Sequence, residues 1–174
     1  MQKWFMLTLV GNDRPGIVAH VSNALYEGGC HLGEASMMRL GGNFTIMLMV
    51  KFAGNSKALY DLLSSVTDSL SLNVHVDQID AQLHEHRVPD VLISVHGADR
   101  AGIVAQVTRA LAEAGLDILD LESDVGGSAQ APIYIMQIEG VARAGLPALR
   151  AALEAATRDT GIFAQIEPIE TLVG

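Results

Sequence analysis

Apolar positions along this chain follow two periods, and the period switches at turn-forming residues. Residues 3 to 10, Lys3-Trp4-Phe5-Met6-Leu7-Thr8-Leu9-Val10, predict a strand ended by Gly11-Asn12. Ile17, Val18, Val21, Ala24 and Leu25 then share a helical face that Gly28-Gly29 closes. That spacing predicts a helix of about 15 residues, with Pro15 in its first turn and Asp13 capping it or just preceding it. Two extended stretches, 30 to 40 and 43 to 53, flank Gly41-Gly42 and predict a tight hairpin. Leu59, Leu62, Leu63, Val66 and Leu70 predict a second helix over 56 to 70, and residues 74 to 79 alternate like a last strand. The order is β-α-β-β-α-β.

The same pattern then returns. Asp13-Arg14-Pro15-Gly16-Ile17-Val18-Ala19-His20-Val21 reappears as Asp99-Arg100-Ala101-Gly102-Ile103-Val104-Ala105-Gln106-Val107, 86 positions on, with 11 identities over the 17 positions from 13 and from 99. A period this long matches one small domain. The second copy predicts a strand over 90 to 97, a helix over 101 to 114, hairpin arms near 116 to 125 and 132 to 140, a helix over 146 to 159 and a strand over 162 to 169. Its hairpin loop, 126 to 132, reads as longer than the first. The chain is therefore expected to hold a first domain over 1–81, a linker over 82–89 and a second domain over 90–174. Right-handed crossovers make each copy an α+β, ferredoxin-like sandwich, a four-stranded antiparallel sheet with two helices on one face. Strands such as Ile46-Met47-Leu48-Met49-Val50 and Ile133-Tyr134-Ile135-Met136 are apolar on both faces, which predicts coverage by the other copy or by a second chain. Met37, Met38, Met47 and Met49 are expected to fill core.

Composition narrows the function classes. There is no long uncharged apolar run and no signal peptide pattern, so a cytoplasmic protein without a membrane span is expected. The single cysteine, Cys30, fits a reducing compartment and a packing role. Eleven Lys and Arg against 20 Asp and Glu give a net charge of −9. Residues 1 to 88 hold 6 basic and 8 acidic groups, and residues 89 to 174 hold 5 and 12, so the second copy carries −7. With no cluster of basic and aromatic residues, phosphate neutralisation has no source, and direct nucleic-acid binding is not expected.

The repeated turn carries the candidate chemistry. Unpaired N–H groups at a helix start suit a carboxylate, Gly16 and Gly102 allow close approach, and Asp13 and Asp99 can accept an ammonium. Such a set suits an amino-acid zwitterion; equally, Asp can cap and Gly can let the helix pack. No cofactor motif is present. His84-Glu85-His86 offers two metal-ligand types without a third, and reads as a polar spacer. Glu122 and Asp124 share a strand face and read as solvated.

The Asp-Arg-Pro-Gly-Ile-Val turn, repeated in register within two β-α-β-β-α-β units, resembles the ACT domain, a small-molecule-sensing module. The resemblance extends to a tandem branch that includes a transcriptional repressor. It implies amino-acid binding at interfaces between units, through the turn before the first helix and the start of the second strand. Those positions are Asn12, Asp13, Arg14, Gly16, Ile17 and Cys30 to Leu32, including His31, in the first copy. In the second they are Asp99, Arg100, Gly102, Ile103 and Leu116 to Ile118, including Asp117. Ala101 departs from the pattern's proline, and Gly97-Ala98 replaces Gly11-Asn12. The resulting expectation is a non-enzymatic regulator that binds a small amino acid, glycine or serine first, and signals by contact with a DNA-binding regulator protein, alone or as a homodimer. A rival reading is an acylphosphatase-like enzyme using Arg14 with Asn12 or Asn43; another is a ligand-free interaction subunit.

Overall fold

The computed structural model describes residues 2–80, 87–98, 102–128, 130–158 and 160–169. The chain divides into two compact units, Met1–His84 and Glu85–Gly174, a boundary within segment 82–89. The first unit runs β1 (Lys3–Asn12), α1 (Ile17–Glu27), β2 (His31–Leu40), β3 (Asn43–Phe52), α2 (Ser56–Leu70) and β4 (Asn73–Ile79). The second repeats the order as β5 (Val91–Ala98), α3 (Ile103–Glu113), β6 (Leu116–Ser128), β7 (Ala131–Ala142), α4 (Leu146–Thr157) and β8 (Ile162–Pro168). Each sheet is antiparallel, with strand order β2-β3-β1-β4 or β6-β7-β5-β8. Each unit is the α+β sandwich that the element order predicts.

Period 2 decides what each strand buries. Phe5, Leu7 and Leu9 of β1 and Phe44, Ile46, Leu48 and Val50 of β3 point to one face and pack on Val21, Leu25, Leu59 and Leu63 of the helices. In the second unit Val91, Ile93, Val95, Met136 and Ile138 meet Val107, Leu111, Leu149 and Leu153. Cys30 lies in the first core, and burial pushes its thiol above the ordinary cysteine value, which keeps it protonated. Asn55 caps α2 through its side chain, which accepts from the Ala58 N–H at 2.9 Å.

Several boundaries differ from the sequence reading. β1 continues through Gly11 and Asn12, because Gly11 lets Leu72 approach to where a Cβ would stand: a built Cβ there lies 2.7 Å from Leu72 Cδ2. Helix α1 is 11 residues long and begins at Ile17, so Pro15 lies in the turn before it and not in its first turn. The second hairpin has no longer loop: Gly126 pairs Ile133, Gly127 pairs Pro132 and Ser128 pairs Ala131, so the extra residues extend the ladder. Three of the four hairpin methionines are surface and not core, and Met49 is only partly buried. Met37, Met38 and Met47 are about half exposed, at 48%, 57% and 48%, because the two helices cover neither the edge strand β2 nor the outward face of the sheet.

The outward faces have diverged. On the first sheet this face carries Trp4, Met6, Met38, Met47 and Met49 with Lys51 and Asp77. On the second, cross-strand rows read Asp120–Glu139–Leu92–Glu167, Glu122–Gln137–Ser94–Gln165 and Asp124–Ile135–His96–Phe163. These three rows hold five carboxylates and no lysine or arginine. Phe163 is exposed and stacks on His96, ring centres 5.6 Å apart.

Leu63 is fully buried between α2 and the first sheet. Leu63→Ala is expected to cost about 2–5 kcal/mol, measured as a lower urea midpoint at unchanged slope.

Candidate functional site

The turn between β1 and α1 is built on a glycine that no other residue replaces without strain. Gly16 is the N-cap of α1 at φ 89°, and Gly102 is the N-cap of α3 at φ 92°. A Cβ in that left-handed region costs about 1–2 kcal/mol. This backbone aims the chain so that Ile17 and Ile103 enter the cores at 2% and 5% exposure. Their side chains are therefore committed to packing, and only their backbone N–H groups face the turn. Neither helix has a side-chain cap. Asp13 does not cap α1: its carboxylate is 3.3 Å from Arg39 Nε at the hairpin end, and its N–H donates to the Gly42 carbonyl at 2.9 Å. The first-turn N–H groups remain available to a ligand or water. Arg14 is exposed beside them, and Asn12 stands opposite Asn43, whose side-chain amide donates to the Gly41 carbonyl. In the second copy Asp99, Arg100 and Ala101 lie outside the described residues, as do His84, Glu85 and His86. Among the described residues no three His, Cys, Asp or Glu side chains cluster as metal ligands.

The second group of positions lies at the other end of each sheet. His31 pairs with Lys51, which pairs with Trp4; Asn12 pairs with Asn43. Trp4 and Asn12 are eight positions apart on one strand, about 26 Å at 3.3 Å per residue. Asp117 likewise faces Val141, one step beyond the Val91–Gly140 pair, whereas Ala98 pairs Ile133. Within a unit the structure does not bring the turn and the strand start together.

The strand starts share a local device. Both carry a β-bulge immediately downstream, between Leu32 and Ala35 and between Ile118 and Asp120. An extra residue there bends the edge and re-aims the side chains. In the first copy Trp4 lies over the bulge at Gly33, the Lys51 ammonium sits 5.9 Å from the Trp4 ring centre, and exposed His31 and Leu32 precede the bulge. In the second, Ile118 packs against the core and Asp117 is bound at once by Arg143, at 2.5 Å, and by Arg87. The Arg143 hydrogen bond and the two guanidinium charges hold its carboxyl below the usual carboxylate range. Arg87 and Arg143 carried no sequence signal, since nothing in the period of either residue links it to Asp117.

Comparison with known proteins agrees with the duplicated fold. Models of the ACT domain match residues 3–77 and, separately, 91–157. A UPF0237 protein of Listeria innocua is 30% identical over 76 residues, 42% of this chain and 85% of that protein. The glycine cleavage system transcriptional repressor of Escherichia coli is 23% identical over 123 residues, 70% of this chain; the match spans 65% of the repressor's length. Among solved structures, an unknown protein from Galdieria sulphuraria superposes with a TM-score of 0.75 at 23% identity, covering 98% of this chain and 100% of its own. A candidate glycine cleavage system transcriptional repressor does so at 0.69 and 17% identity, covering 98% and 99%. These structural likenesses concern the fold.

Because Asp117 has a depressed folded-state pKa, its ion cluster stabilises the protein above the ordinary aspartate pKa, and that contribution is lost as pH falls through the lower folded value. Wild type is expected to be more stable than Asp117→Asn in thermal melts at pH 6, with the difference closing on acidification below pH about 4.

Proposed function

The chain belongs to the ACT domain family, and on that premise we propose that it is a non-enzymatic regulator that binds a small amino acid between ACT units and passes its state on by protein contact. The observation that carries this reading is the separation of the two recognition elements to opposite ends of each sheet. A glycine-capped turn with free N–H groups accepts a carboxylate, and Asp13 offers a charge-assisted acceptor for an ammonium. The strand start supplies the remaining contacts from a neighbouring unit. Glycine and serine are the favoured ligands, in keeping with the likeness to a glycine cleavage system transcriptional repressor. A ligand lodged between units shifts their arrangement by its differential affinity for two states, and a coupling of about 1–3 kcal/mol changes partner affinity five- to 150-fold.

The likeness to a transcriptional repressor and the acidic balance of the sequence, 11 Lys and Arg against 20 Asp and Glu, are compatible if the protein acts on a DNA-binding protein and not on DNA. The outward face of the second sheet is the proposed contact: its carboxylate rows with exposed Ile133, Ile135 and Phe163 complement a basic regulator that carries apolar side chains. The reading places the protein in the cytoplasm.

Titration calorimetry of the full chain against the twenty amino acids, glycine and serine first, is expected to show saturable heat. Gly16→Leu, strained at φ 89° and intruding on the turn, is expected to weaken that binding at least ten-fold with far-UV circular dichroism near wild type. No heat with any amino acid would contradict the reading. Reversal of Asp120, Glu122 and Asp124 to lysine is expected to abolish capture of a basic regulator partner while leaving amino-acid binding intact; salt-sensitive, sequence-specific DNA binding by the protein alone would overturn the partner assignment.

A further inference from the structure

The two strand starts occupy equivalent places in the repeat, His31 and Asp117 being 86 positions apart, yet their surroundings differ in kind. Beside His31 stand Lys51 and Trp4, and among the described residues no carboxylate forms an ion pair with His31 or Lys51. Asp117 instead has both guanidiniums of Arg87 and Arg143 on its Oδ2. Arg143 is local, since its own N–H donates to the Gly115 carbonyl beside β6. Arg87 comes from the segment that leads into β5, inside the second unit.

That segment is tied down just downstream. The Asp90 N–H donates to the Gly140 carbonyl at 2.9 Å, the Asp90 carboxylate accepts from the Ala142 N–H at 2.8 Å, and the Asp90 carbonyl accepts from the Ile169 N–H at 2.8 Å. These bonds hold Asp90 beside the start of β6 in the position that Trp4 takes in the first unit. Arg87, three residues upstream, reaches the carboxylate from there. An exposed ion pair contributes little to stability, typically below about 1 kcal/mol, so it can be displaced by a competing cation.

We infer that Arg87 is a built-in occupant of the second strand start, a strap that supplies to Asp117 the cation an amino-acid ammonium would otherwise provide. The inference rests on the amino-acid reading above and adds its regulation. At the first strand start no ion pair among the described residues holds His31 or Lys51. At the second, Arg87 of the same unit holds Asp117, so a ligand enters it only by releasing Arg87. Loading is thus expected at one site per chain.

Two measurements on the full chain test this. Trypsin cleaves after an accessible arginine, so Asp117→Asn, which removes the carboxylate but keeps the shape, is expected to speed cleavage after Arg87 several-fold without changing cleavage after Arg109 or Arg150. Calorimetry with glycine and serine is expected to give one ligand per wild-type chain and two per chain in Arg87→Ala/Arg143→Ala. Both variants alter half-exposed surface groups, and circular dichroism checks that they fold. Equal cleavage rates after Arg87 overturn the strap whatever the ligand; two ligands per wild-type chain, or one in the double variant, overturn the occupancy of the second site while amino-acid binding stands. Heat from no form at all refutes the amino-acid reading, and with it the occupancy, whereas the cleavage result still decides whether Arg87 is held.

Discussion

The antiparallel register of the central strand is the constraint on which the rest depends. β1 lies between β3 and β4, paired over its full length with β3, and β5 is held in the same way in the second unit. A fixed register with period 2 assigns each side chain to the helix side or the outward side. It also fixes the two ends of the unit. The turn into α1 must emerge at one end of the sheet and the start of β2 at the other, since β2 runs antiparallel to β3 and returns along it. Separation of the turn from the strand start is a consequence of the topology, independent of the residues that occupy them.

Two copies in one chain provide two turns and two strand starts, and sequence drift between the copies can then specialise them. The strand starts show it most plainly: a His–Lys–Trp corner on the first, a carboxylate clasped by two arginines on the second. The outward faces show it again. The first sheet's outward face is methionine-rich, whereas three rows of the second carry five carboxylates and no lysine or arginine. Asp120 and Glu139 sit directly opposite each other, a like-charge pairing that opposes sheet formation unless an external cation offsets it. Polarisable methionine surface and charged surface favour different contacts, so the two sheets are suited to different neighbours.

Much of this was legible in the residues. The change between period 2 and period 3.6 marks all twelve elements, because each strand buries one face and each helix one stripe, and neither can be satisfied by the other's spacing. The repeat identified two units and marked Gly16 and Gly102 at equivalent turns, and the structure shows both in the left-handed region. The charge difference between the halves is likewise a property of the chain alone. Element ends were less legible. Gly11 reads as a stop but continues a strand, because what it answers to is the approach of Leu72 from 61 positions away.

What only the tertiary structure decided depends on pairs distant in sequence. Whether Met38 and Met47 are core or surface turns on which face two helices happen to cover, and no local pattern encodes that. Asp13 meets Arg39 and not the helix it precedes because the hairpin end folds back beside the turn. Arg87 and Arg143 converge on Asp117 from 30 and 26 positions away. Sequence by itself determined the units, their fold and the position of the repeated turn, since these follow from local periodicity and from the repeat. The partners of Asp13 and Asp117, and the distance between the turn and the strand start, were settled by the tertiary structure, in which strand register sums constraints over the whole sheet.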